Sequence, residues 1–187
     1  MRDNQFWKLL EPIHQSAAAF CLKLTGDIDE AGDLYHDSLL IAWRKLHGLN
    51  DHSAFRPWLF RILINNYKNR CRSFWKRHRV PLTQELTDKI SGQDSQKLLD
   101  TRRNLINLLA TLKPEDRALV ILHDVDGWSV GELADMNNRP EGTIKTRLFR
   151  ARQKMRKAME KRFSAKCIDL STSEAVYAVP KSKTTDR

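Results

Sequence analysis

Between Lys145 and Lys157 the chain carries Lys145, Arg147, Arg150, Arg152, Lys154, Arg156 and Lys157, and no Asp or Glu stands between Gly142 and Met159. Cations at that density neutralise phosphates, and Arg or Lys on an element that fits a groove also reaches base edges. The chemistry implied is recognition of a polyanion rather than bond breaking. A second set lies upstream, where Arg61, Asn65, Lys68, Asn69 and Arg72 recur at three- and four-residue spacing. Side-chain amides bond base edges. Phe74 and Trp75, set among Lys76, Arg77 and Arg79, offer stacking faces for unpaired bases. That mixture suits partly opened DNA better than closed duplex alone. A third set is acidic: Asp29, Asp33 and Asp37 fall at i, i+4 and i+8, on one helix face. A catalytic metal site draws ligands from several elements. One row on one face reads instead as a solvated or partner-binding surface. Cys21, Cys71 and Cys167 are far apart and form no CxxC or zinc-finger spacing, so neither disulfide, metal nor redox chemistry is expected. No cofactor is called for.

The elements that must hold these groups are helices. Ser129 and Glu132 make a capping box at the start of one. Met136-Asn137-Asn138-Arg139 breaks it, since Asn tolerates left-handed backbone. Pro140, with no N–H to satisfy, suits the first turn of the next. In that next helix Ile144, Leu148, Ala151, Met155 and Met159 form one apolar stripe with the cations mostly off it. A helix-turn-helix with a cationic second helix fits a DNA major groove. Nearer the N-terminus, Phe6, Leu10, Ile13, Ala17, Phe20 and Leu24 predict one helix ended by Gly26-Asp27. A second helix is expected from about Asp29 to His47, with Leu34, Leu39, Ala42, Trp43 and Leu46 available to the core. After a loop, Trp58, Leu59, Ile62, Leu63 and Ile64 supply the core side of a third, opposite Arg61, Asn65 and Asn69.

Charge is unevenly distributed along the 187 residues, whose formal net charge is +10. Residues 1–51 hold five Lys/Arg against eight Asp/Glu, and 52–84 hold eight against none. Residues 85–138 hold six against ten, and 139–162 ten against two. Two basic blocks, each preceded by an acidic one, imply two nucleic-acid contacts made by two modules. The stretch from Pro81 to about Asp100 is polar, lacks a sustained stripe and reads as a linker. The expected organisation is all-α: two small helical domains, 1–80 and 104–163, joined by a flexible linker at 81–103, with a tail at 164–187. No apolar run is long enough to span a bilayer, and the first residues carry no signal-peptide pattern. A cytoplasmic protein without membrane insertion is expected. A nuclease or recombinase would need clustered carboxylates or a nucleophile beside the basic faces, and the scarcity of acids in both basic blocks speaks against one. A helix-turn-helix factor acting on duplex alone would leave the Asn/aromatic/basic block unused.

The whole arrangement, over about residues 6–160, resembles the extracytoplasmic-function (ECF) subfamily of bacterial RNA polymerase sigma factors. DEAGDLYHDSLLIAW is similar to the segment that docks on the polymerase clamp, and FRPWLFRILINNYKNRCR to the segment that recognises and melts the −10 element. LLATLKPEDRALVILHDVDGWSVGELADMNNRPEGTIKTRLFRARQKMR is similar to the domain that reads −35, with Gly142–Arg147 and Arg150-Ala151-Arg152 its most specific signature. The resemblance implies a non-catalytic protein that lends promoter choice to core RNA polymerase. By position, Lys145, Thr146, Phe149 and Arg150 would face −35 bases, while Arg147 and Arg152 would hold phosphates or the helix pair. Arg61, Asn65, Lys68, Asn69 and Arg72, with the loop Leu49–Ala54, would meet the −10 strand. Asp33, His36, Asp37 and Leu40 would face the clamp. Tyr35-His36-Asp37 stands where a small apolar residue, Gln and Glu are usual in that family. The implied partners are core polymerase, promoter DNA and an anti-sigma factor.

Overall fold

The computed structural model describes residues 2–77 and 93–173, with side chains described at 4–73, 101 and 103–162. Phe74, Trp75, Lys76, Arg77, Arg79 and Cys167 lie outside the described side chains. All regular elements among the described residues are helical.

The first module contains α1 (Arg2–Leu10), α2 (His14–Thr25), α3 (Ile28–Lys45) and α4 (Phe55–Arg77). The single helix expected up to Leu24 is two, split by a 3-10 turn at Glu11–Ile13. Pro12 causes the split: it supplies no N–H and disfavours α geometry in the residue before it. The apolar stripe survives the break, since Phe6, Leu10, Ala17, Phe20 and Leu24 are all buried. Gly26 ends α2 at φ 81°, its amide donating to the Leu22 carbonyl at 2.8 Å. Only glycine adopts that left-handed cap without strain. Asp27 then caps α3, its Oδ1 accepting from the amides of Asp29 and Glu30 at 2.9 Å each.

α2, α3 and α4 pack around Phe20, Leu34, Ala42, Leu59, Phe60 and Leu63, each at most 1% exposed. The one buried polar side chain among the described residues, Ser38, is satisfied on both sides. It donates to the Leu34 carbonyl at 2.6 Å and accepts from Asn66 Nδ2 at 3.0 Å. Burial pushes the Cys21 thiol up to about 12, which keeps it an unreactive apolar filler. One core assignment is corrected: Trp43 is 40% exposed. Trp58 is half-buried at the edge of the core, beside Phe55 at 5.7 Å between ring centres.

The second module contains α5 (Gln93–Ala110), α6 (Pro114–Val120), a π-helical turn (Ile121–Val125), α7 (Val130–Asn137) and α8 (Glu141–Ser173). Helix α5 starts at Gln93, inside the stretch 81–103 expected to be a linker. Likewise α8 continues through residues 164–173 of the expected tail. Ser129 forms the capping box with Glu132 in both directions, amide to carboxylate at 2.8 Å and amide to hydroxyl at 3.1 Å. The first of those bonds holds the Glu132 carboxyl below its usual range. Asn138 takes the left-handed turn at φ 50°. On α8, Ile144, Leu148 and Ala151 are buried, Met155 is half-buried, and Met159 is already 42% exposed.

The two modules pack on one another and share a core. Trp128 lies 5.1 Å from Phe60, ring centre to ring centre, with the Arg56 guanidinium 4.3 Å from the indole. Arg117 of α6 donates from Nη1 to the Leu24 carbonyl at 3.1 Å and to the Tyr67 hydroxyl, and from Nε to the Leu109 carbonyl at 2.9 Å. A Cβ on Gly26 would come within 2.9 Å of Ile106 Cγ2, so α5 approaches the end of α2 as closely as glycine allows. Ion pairs Lys23–Asp126 and Lys68–Glu115 close the edges.

Candidate nucleic-acid and partner interfaces

On α8 the cations divide into two kinds. Arg147 reaches back to α6, donating to Asp116 Oδ1 at 2.7 and 2.9 Å and to Glu115 Oε2 at 3.4 Å. Arg152 holds Asp124 of the π-helical turn, its Nε donating at 3.1 Å, and that bond pushes the guanidinium's pKa up. Both arginines thus tie the second helix of the pair to the scaffold beneath it. Lys145, Thr146, Phe149 and Arg150 are exposed and lie within two turns, Phe149 at 62%. Thr146 bonds its own helix, Oγ1 to the Gly142 carbonyl at 2.8 Å, and Lys145 pairs with Glu141 at 2.9 Å. An exposed i, i+4 ion pair is worth a few tenths of a kcal/mol, so Lys145 can exchange it for a phosphate or base. An exposed aromatic ring flanked by cations, on a helix braced from behind, is suited to contact base edges in a major groove.

On α4, Arg61, Asn65, Asn69 and Arg72 are exposed and Lys68 is half-exposed. Arg61, Asn65 and Lys68 line a cleft of about 210 Å³ whose other wall is Glu115, Asn137, Arg139 and Arg147 of the second module. Asn69 and Arg72 lie outside it. Lys68 is bound to Glu115, and that hydrogen bond holds the Glu115 carboxyl below its usual range against the opposing effect of partial burial. Sequence reading missed this partner. Its only trace there is the acidic pair following Pro114 in the first turn of a helix, an ordinary feature of helix N-termini.

On α3, Asp33, His36, Asp37 and Leu40 are all exposed, Leu40 at 54%, with Trp43 one turn on. Asp37 is tied to Arg70 of α4. Tyr35 points the other way: it is buried, and its hydroxyl bonds His14 Nδ1 at 2.6 Å. Burial raises the Tyr35 pKa to about 12. The face combines carboxylates with exposed large apolar side chains, a composition that marks protein contact surfaces. Among the described residues no group of three or more His, Cys, Asp or Glu is placed to hold a metal, and no helix is long and apolar enough to cross a membrane.

Comparison with known proteins matches both modules in order. The profile described as Sigma-70 region 2 covers residues 9–77, which runs from the end of α1 through α4. The profile described as Sigma-70, region 4 covers residues 102–155, from within α5 into α8. The chain belongs to the sigma-70 family, as an ECF RNA polymerase sigma factor. Like its family it is not an enzyme. Among curated relatives it is 25% identical over 150 residues to the ECF RNA polymerase sigma factor SigW of Bacillus subtilis, covering 74% of this chain and 80% of that one. It is 28% identical over 153 residues to the RNA polymerase sigma-H factor of Pseudomonas aeruginosa, covering 74% and 78%. Among solved structures it is similar to the sigma factor RpoE of Bartonella quintana, crystallised with the anti-sigma factor NepR. The TM-score is 0.64 at 25% identity, over 86% of this chain and 98% of that one. The fold also matches CnrH, solved with the cytosolic domain of CnrY, at TM-score 0.61 and 20% identity. In this sigma factor region 2 therefore comprises the acidic α3 face and the α4 face, and region 4 the helix-turn-helix of α7 and α8.

Proposed function

We propose that this sigma factor directs core RNA polymerase to promoters through three surfaces, each with one role. The α3 face, with Asp33, His36, Asp37 and Leu40, docks on the polymerase. The α4 face, with Arg61, Asn65, Lys68, Asn69 and Arg72, takes the opened −10 strand. The exposed side chains of α8, Lys145, Thr146, Phe149 and Arg150, read −35. Arg147 and Arg152 brace that helix, whatever phosphate they also meet. The observation that carries this reading is the division of the α8 cations: Arg147 and Arg152 are pinned to acids of α6 and the π-helical turn, while Lys145, in an exposed pair within its own helix, and Arg150 are presented with Phe149 on an open face. The protein works in the cytoplasm, where its polymerase and promoter are. An anti-sigma factor is its proposed regulator, by analogy with the Bartonella RpoE complex. Reconstituted transcription with core polymerase on a promoter library tests the reading. Initiation from a defined subset of promoters, lost with Arg150→Ala at −35 but not at the polymerase-binding step, is the expected result. Absence of initiation at every salt concentration overturns it.

A further inference from the structure

Helix α8 begins at Glu141, directly after Pro140. In a helix-turn-helix the N-terminal residues of the second helix are the ones that meet base edges. Glu141 thus stands at the leading end of the reading helix, yet it is an acid. Every other charged residue of α8 as far as Lys157 is a cation. Its side chain is 54% exposed, and its Oε2 accepts from Lys145 Nζ at 2.9 Å. Its Oε1 lies 3.6 Å from where a Cβ on Gly131 would stand, beside the first turn of α7. A helix N-terminus favours any acid placed there, but that does not account for the pattern of groups around this one. At about 100° per residue, Glu141, Lys145, Phe149, Thr146 and Arg150 fan in that order over one half of the helix. Ile144, Leu148 and Ala151 are buried on the other half. Thr146 spends its hydroxyl proton on the Gly142 carbonyl at 2.8 Å, so it offers only lone pairs to the outside. Lys145 and Arg150 carry donors alone. The exposed face therefore alternates acceptor and donor: Glu141, Lys145, then Thr146, Arg150.

In the major groove a carboxylate can accept only from an amino group, and it is repelled by the O6 and N7 acceptors of guanine and the O4 of thymine. Cytosine suits it best. Adenine sets the N7 acceptor beside its N6 amino group, whereas the cytosine N4 amino group has no acceptor next to it in that groove. We propose that Glu141 is a further specificity-determining residue of the −35 contact: its carboxylate reads a cytosine amino group beside the base that Lys145 reads, and rejects sequences that offer only acceptors there. The inference rests on the −35 role given to α8 above. Binding replaces the Lys145–Glu141 pair by one contact for each partner. A G·C step supplies both, guanine the acceptors for the ammonium and cytosine the amino group for the carboxylate. Against any other sequence the carboxylate faces acceptors and phosphates, and its charge opposes binding.

Transcription from a promoter library randomised over the −35 element tests this, with holoenzyme reconstituted from core polymerase and the full-length chain. The parent should favour cytosine at one position. Glu141→Ala should flatten the preference there by about fivefold, the low end for a single base contact, and leave the other positions as they are. Glu141→Gln should move the preference to adenine, whose N6 and N7 an amide bonds together. Holoenzyme carrying either variant should also bind a mixed-sequence duplex without a promoter more tightly than the parent, because an anion has left the interface. Weaker binding there overturns the rejecting role. An acid that only stabilised the start of α8 would, when replaced, change output on every sequence alike. Unmoved base preference in both variants, each shown folded by circular dichroism, overturns the proposal alone if Arg150→Ala relaxes a position in the same library. If Arg150→Ala relaxes no −35 position either, the −35 reading falls and this inference with it.

Discussion

The α4 and α8 faces are both basic and both helical, yet their cations are held from different places. On α8 the acids that bind Arg147 and Arg152 come from its own module, and their effect is to stiffen the helix while leaving Phe149 and Arg150 bare. On α4 the acid that binds Lys68 comes from the other module, and its effect is to tie that module to the side of the face while Arg61, Asn65, Asn69 and Arg72 stay exposed. The same chemistry, carboxylate against cation, braces a helix when the partners share a module and joins the modules when they do not. Net charge and residue lists do not distinguish these two outcomes, because only the origin of the partner differs.

The largest expected effect separates structure from readout within α8. Leu148 is 2% exposed and its neighbour Phe149 62% exposed. Leu148→Ala should cost about 2–5 kcal/mol of stability from lost burial and the cavity left behind, read by urea unfolding. Phe149→Ala should stay within about 0.5 kcal/mol in the same assay while reducing −35 discrimination. Comparable destabilisation by both would break the claim that α8 has one buried and one reading side.

Next in size, Arg150→Ala should cost about 1–3 kcal/mol in discrimination among −35 sequences, with little change in unfolding. Arg147→Ala should do the reverse, lowering the unfolding midpoint because Asp116 and Glu115 lose their common partner. Base selectivity lost in both variants would remove the division between bracing and reading cations. The capping box offers a smaller effect. Ser129→Ala should cost about 1 kcal/mol, confined to the second module and visible as faster amide exchange at the start of α7.

The smallest effect concerns pH. Lys68 holds the Glu115 carboxyl below its usual value of 4.5 in the packed pair. Its contribution to packing is therefore complete above that value and is lost as pH falls through the lower one. The stability difference between the parent and Glu115→Gln, read by urea unfolding, should be flat from neutral pH to about 4.5 and shrink below it. A difference that changes between pH 6 and 7 would place the titrating charge on some other group.

What sequence made legible was whatever is local. The capping box at Ser129, the left-handed Asn138, the stop at Gly26-Asp27 and the buried run Ile144, Leu148 and Ala151 all depend on neighbours within a turn or two, and all are present. Division of the helix at Pro12 was also local and was overlooked, because the apolar spacing continues through the 3-10 turn. Trp43 was misplaced toward the core since periodicity gives a face but not what covers it. The candidate surfaces on α3, α4 and α8 were legible as patterns of exposed charge. Their pairing across the two modules was not. Lys68 and Glu115 are 47 positions apart, Lys23 and Asp126 are 103 apart, and nothing in the spacing of either pair marks the other residue. Sequence presented two helical modules joined by a linker, and the structure adds that their buried side chains meet in one cluster.

Trp128 sits in that core with its Nε1 hydrogen buried and facing no protein acceptor, the only such side-chain atom among the described residues. Its ring is 3% exposed, between Phe60 of the first module and the Arg56 guanidinium. Burial at the junction makes the ring an optical gauge. In a chain whose other four tryptophans are replaced by phenylalanine, emission from Trp128 should move to longer wavelength as the modules separate, so opening by polymerase, salt or a partner could be timed without any added label.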